Sequence, residues 1–134
     1  MPTLRTLKDL EREGLVTSDP RLSQVADGMA IGLTEEMLAQ IDRRNPTSDP
    51  IARQFVPDVR ELNVAPGELA DPIGDEARSP IKGIVHRYPD RVLLKPLHAC
   101  PVYCRFCFRR EKVGPGAEAL NDAELEAALC YIRA

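Results

Sequence analysis

The chain has 134 residues, enough for one modest domain, and with 43% apolar but only 4% aromatic residues its core must rest on Leu, Val, Ile and Ala. Eighteen basic and 21 acidic residues leave a net charge of −3, which is no footprint for nucleic acid. No apolar run approaches the ~20 residues of a membrane span, and Met1 to Leu10 carries Arg5, Lys8 and Asp9 among its leucines with no small-residue cleavage site, so no secretory signal is read.

The first third reads as short helices. Leu4, Leu7 and Leu10 recur at helical spacing until Gly14 stops the pattern, and a second, weaker helix runs through Leu22, Val25, Ala26 and Met29. Thr34 is placed as an N-cap with Glu35 and Glu36 in the first turn, Met37, Leu38 and Ile41 supply an apolar face, and Asn45-Pro46 ends the helix. Residues 45–80 carry prolines at short intervals, from Pro46 to Pro80, so long elements are excluded and an ordered, wrapping stretch with a short helix at most is expected. Arg91 to Leu94 reads as a strand, apolar on both faces as a buried parallel strand would be. After the Gly114-Pro115-Gly116 loop, Asn121 with Glu124 makes a capping box, and Leu125, Ala128, Leu129 and Ile132 form one helical face. One strand and one helix cannot bury both faces of a sheet, so the sequence reads as an N-terminal fragment of a longer protein.

With no signal for export, the chain is expected in the cytoplasm, where thiols stay reduced and cysteines point to metal or catalysis before disulfides. Three of the four cysteines fall in Cys100-Pro-Val-Tyr-Cys104-Arg-Phe-Cys107. Thiolates suit iron–sulfur clusters, zinc and copper(I). A cluster held wholly by protein wants four cysteines, so three leave one iron open to a substrate or cofactor. Two rivals stand beside this. His98 would complete a Cys3His zinc site, although structural zinc sites usually draw ligands from two separated segments. Cys130 would supply a fourth cluster ligand, although a buried, unreactive cysteine is its plainer reading. An electron-transfer or structural cluster protein, or a zinc-binding module, therefore remains an alternative class.

The spacing Cys-x3-Cys-x2-Cys with Phe106 before the last cysteine resembles the signature of radical S-adenosylmethionine enzymes. Around it, His86-Arg87-Tyr88-Pro89-Asp90-Arg91-Val92-Leu93-Leu94 and Tyr103-Cys104-Arg105-Phe106-Cys107-Phe108-Arg109-Arg110 are similar to the lysine 2,3-aminomutase family, as are Asp49-Pro50-Ile51, Gln54-Phe55-Val56-Pro57 and Asp71-Pro72 upstream. The likeness runs from about residue 45 to the end and is loose over the first forty residues.

The resemblance implies a [4Fe–4S] cluster on Cys100, Cys104 and Cys107, with S-adenosylmethionine chelating the fourth iron. Its cleavage would give a 5′-deoxyadenosyl radical that acts on an amino acid held by pyridoxal 5′-phosphate, so that the amino group migrates to the neighbouring carbon. Phe106 would lie near the adenine. Arg87 and Arg91 would bind the pyridoxal phosphate group, a role that suits an always-charged bidentate donor. Arg109 would grip the substrate carboxylate, while Arg105 and Arg110 read as solvated surface charge. The pyridoxal-binding lysine and the acids that read the substrate side chain would lie downstream, so the segment alone is expected to be inactive. The implied partners are an amino-acid substrate, lysine first, an electron donor such as a flavodoxin or ferredoxin, and a second copy in a homo-oligomer. Many lysine aminomutases have histidine in place of Phe106. Phenylalanine occurs in branches that include enzymes making β-lysine for attachment to a translation elongation factor, which leaves substrate identity open.

The fold expected is α/β: a helical and irregular region over residues 1–80, then over residues 81–134 the first strand and helix of a partial (β/α) barrel, with the cluster loop at the strand's C-terminal end.

Overall fold

The computed structural model describes residues 3–134. Met1 and Pro2, with which both the predicted helical region and the stretch read for a secretory signal begin, lie outside the described residues. The elements in chain order are α1 (Leu7–Arg12), α2 (Arg21–Gly28), α3 (Glu35–Leu38), α4 (Ala52–Phe55), β1 (Ile84–Tyr88), β2 (Arg91–Leu94) and α5 (Asp122–Arg133), with 3-10 turns at Val59–Leu62 and Glu76–Arg78. Among the described residues no helix is long and apolar enough to cross a membrane.

The four N-terminal helices are short because each is bounded by its own cap or breaker. Thr6 accepts the Asp9 amide and Asp9 answers the Thr6 amide, a capping box that starts α1 one turn after Leu4. Leu4 instead exchanges both backbone hydrogen bonds with Leu33, at 2.8 and 3.1 Å, and so ties the start of the chain to the segment before α3. Thr34 has the extended backbone of an N-cap, but α3 is only four residues long. Beyond it the chain tightens into i→i+3 turns that still bury Ile41. Leu10, Leu15, Ile31, Leu33, Leu38, Ile41, Ala52 and Phe55 form the core of this half.

The strand expected at residues 91–94 is present, but its surroundings differ from a buried parallel strand. β2 alternates exposed and half-buried positions and pairs antiparallel with β1, Ile84 opposite Leu94 and Val85 opposite Leu93. The chain reverses at Pro89-Asp90, so a strand that reads as polar (His86-Arg87-Tyr88) becomes the partner. β1 supplies the buried side of this pair through Ile84 and Val85. It is entered through Gly83, at φ +84°, where an added Cβ would stand 2.5 Å from Leu120. Past β2, Leu97 bridges to Ala119, which brings the segment before α5 alongside. The capping box expected at Asn121 and Glu124 starts α5. Of its expected apolar face, Ala128 is buried and Ile132 is exposed. The result is a small fold of short helices and one two-stranded antiparallel sheet.

Candidate functional site

Cys100, Cys104 and Cys107 lie on an irregular loop after β2, and all three thiols are free. The loop is not draped over the surface; four consecutive residues, Val102 to Arg105, pin it to the N-terminal half. Val102 and Cys104 pack on the core of that half. The buried Tyr103 donates its backbone N–H to the Gly32 carbonyl at 3.0 Å, and its ring lies 2.6 Å from where a Gly32 Cβ would stand, so only glycine fits there. The Arg105 N–H donates to the Gln54 carbonyl at 2.8 Å. Phe106 and Phe108, on either side of Cys107, point outward, 62% and 61% exposed.

Cys100 is exposed, and Cys104 and Cys107 are half-buried. Burial, then the neighbouring Cys107 and Cys100 thiols, push the Cys104 thiol above its ordinary value. A cation among the three would relieve that repulsion. The Cys107 sulfur accepts the Arg109 N–H at 3.4 Å, the kind of contact that tunes a cluster's potential. Among the described residues no three or more His, Cys, Asp or Glu side chains converge into a group able to hold a metal ion. The donor set itself, three unpaired soft thiols on one anchored loop, fits an iron–sulfur cluster.

His98 is half-buried in a cleft of about 430 Å3 that also takes in Asp75, Lys95, Phe108, Arg109 and Lys112. Burial, then the charges of Lys95, Lys112 and Arg109, hold its imidazole below the usual histidine range. Cys130 is exposed on α5, its thiol 3.6 Å from Glu126 Oε1, so the expectation of a buried cysteine is corrected. Its position, eight residues after the helix starts, turns it off the face that Ala128 buries.

The arginines divide into three situations. Arg109 donates from Nε to Asp75 Oδ2 at 2.8 Å, and Lys95 reaches the same oxygen at 3.3 Å. Arg109 lines the same cleft as His98. Burial alone would raise the Asp75 carboxyl, but the hydrogen bonds from Arg109 and Lys95 outweigh it and hold the group below its usual range. Arg87 and Arg91 sit at the turn end of the hairpin, whereas the cysteine loop leaves from the other end of β2. Arg87 donates to the Ile73 carbonyl, and Arg91 stacks over Tyr88, 4.8 Å from the ring centre. Both are exposed. Arg105, read as surface charge, is buried and paired with Glu61, at 2.8 Å. That reading is corrected: four backbone and carboxylate acceptors from distant segments enclose its guanidinium. Arg110 also reaches Glu61, at 3.3 Å, but stays half-exposed. Glu61 and Asp75, each many residues upstream of the arginine it meets, carried no local signal of these roles.

What the geometry defines, then, is a three-cysteine loop seated on a helical base beside a mixed-charge cleft. No protein-family model matches the chain. It is 33% identical over 132 residues, 97% of its length, to the L-lysine 2,3-aminomutase of Clostridium subterminale, and 35% identical over 135 residues to that of Bacillus subtilis. A glutamate 2,3-aminomutase of Clostridioides difficile is 35% identical over 85 residues. The chain is a homologue of the lysine 2,3-aminomutases, and the likeness takes in the first forty residues as well, further upstream than the motifs alone reach. It spans between a fifth and a third of the length of these relatives, 32% and 28% for the first two and 20% for the glutamate enzyme.

Proposed function

We propose that this chain is the cluster-bearing part of a radical S-adenosylmethionine 2,3-aminomutase whose substrate is lysine. The observation that carries the reading is the loop Cys100-x3-Cys104-x2-Cys107, its thiols unpaired and its Val102, Tyr103 and Arg105 anchored, in a homologue of lysine 2,3-aminomutases. Cys100, Cys104 and Cys107 would hold three irons of a [4Fe–4S] cluster. Bound there, the cluster supplies an electron to S-adenosylmethionine, and pyridoxal 5′-phosphate supplies the carrier for the migrating amino group.

The chain's own residues do the holding. Phe106, exposed between two ligands, offers a flat face to the adenine. Arg109 has its Nε held by Asp75, and its remaining nitrogens would grip the substrate carboxylate. Arg87 and Arg91, at the far end of the hairpin, would bind the pyridoxal phosphate group from the other side of the site. The rest of the site belongs to a (β/α) barrel that β2 opens. Phe106 in place of histidine favours, as a second reading, the branch that makes β-lysine for a translation elongation factor.

The experiment is turnover by the protein at its native length, reduced, with S-adenosylmethionine, pyridoxal phosphate and free lysine. Formation of 5′-deoxyadenosine and β-lysine supports the proposal. Deoxyadenosine formed only with another amino acid would overturn the choice of substrate, and neither product from cluster-loaded protein would overturn the activity.

A further inference from the structure

Arg105, between the second and third cysteines, and Asp75 are the two buried residues of formal charge among those described. The Arg105 side chain is held on two sides. Nε and Nη2 grip the Glu61 carboxylate at 3.0 and 2.8 Å, and Nη1 donates to the carbonyls of Met29 and Ala30 at 3.3 and 3.2 Å. Glu61 is itself fixed, because it closes the capping box of the Val59–Leu62 turn and accepts the Asp58 N–H at 3.0 Å. A chain of contacts thus runs from a helix cap through Glu61 and Arg105 to the backbone between Cys104 and Cys107.

Stability alone does not call for this arrangement. An apolar pair of the same volume often packs as well or better, since burying two charges carries a desolvation cost. What the fork of a guanidinium adds is direction: two parallel bonds to a carboxylate fix its plane, and two carbonyls on the other edge fix its roll. Lysine cannot satisfy both edges at once. We infer that Arg105 is a positioning residue, which through Glu61 and the carbonyls of Met29 and Ala30 sets the spacing and direction of Cys104 and Cys107 before any metal arrives. The consequence for iron rests on the reading of the three cysteines as cluster ligands; the clamp itself is a property of the metal-free loop.

The experiment uses the native-length protein in a Cys130→Ser background, chelated and reduced, and follows maleimide reaction of the two half-buried thiols. In Arg105→Lys and Glu61→Gln their reaction is expected to quicken by about tenfold, the local opening that follows loss of a charge-assisted hydrogen bond. Asn121→Ala, which weakens α5 without touching the clamp, should leave that rate unchanged. After reconstitution, both clamp variants should release iron to a ferrous chelator faster than the parent. Wild-type thiol reactivity in both variants would overturn the inference, and so would equal acceleration in Asn121→Ala. Should Arg105→Lys fail to fold by circular dichroism, Glu61→Gln, which keeps the acceptor for Asp58, decides alone. If the parent takes up no iron, the cluster reading fails while the thiol rates still decide the clamp.

Discussion

At the scale of single residues, Asp75 and Arg105 show how much of the site depends on partners remote in sequence. Asp75 is 7% exposed and receives Arg109 and Lys95 on one oxygen. Asp75→Asn keeps the shape but removes the charge both cations face, and is expected to lower stability by about 1–3 kcal/mol in denaturant titration. The carboxyl's folded value lies below 3.8, so its contribution is complete above that pH and lost as pH falls through the lowered value. The wild-type advantage over Asp75→Asn should therefore be flat near neutrality and shrink only in strong acid; an advantage that vanished between pH 5 and 7 would contradict the pairing. The cysteines were legible because their spacing carries the chemistry. Arg105 was not, since a charged residue in a loop reads as solvated unless its acceptors are known, and these lie on segments 44 to 76 residues away.

At the scale of elements, local chemistry was readable and pairing was not. Asn121 and Glu124 announce the start of α5, and both halves of the capping box form. Asn121→Ala should cost about 1 kcal/mol, read as a lower unfolding midpoint with unchanged spectra below it. The strand at 91–94 was visible as an apolar run, but its antiparallel partner was hidden by His86, Arg87 and Tyr88: Arg87 and Tyr88 stand at an exposed strand end, and His86 meets the Tyr131 hydroxyl of α5 at 2.6 Å. The close approach of Gly32 to Tyr103 is likewise a tertiary fact. Gly32→Ala would drive a Cβ against the Tyr103 ring and is expected to cost about 1–3 kcal/mol while displacing the cysteine loop. Thermal unfolding checks the first effect and thiol reactivity the second; a variant with parental values for both would show that the loop does not lean on this glycine.

At the scale of the whole molecule, the N-terminal half forms the base on which the cysteine loop rests. Val102 and Cys104 close its core, Tyr103 and Arg105 bond to its backbone, and Arg109 reaches Asp75 in the segment that follows. The likeness to lysine 2,3-aminomutases extends through this half as well. The central claim is that the loop carries a [4Fe–4S] cluster with one iron left for S-adenosylmethionine. Electron paramagnetic resonance of the anaerobically purified, reduced native-length protein, before and after adding S-adenosylmethionine, tests it most directly. The account predicts a brown protein absorbing near ~400 nm, with a reduced-cluster signal that shifts when S-adenosylmethionine is added. A colourless protein with stoichiometric zinc, or a cluster signal indifferent to S-adenosylmethionine, would contradict it.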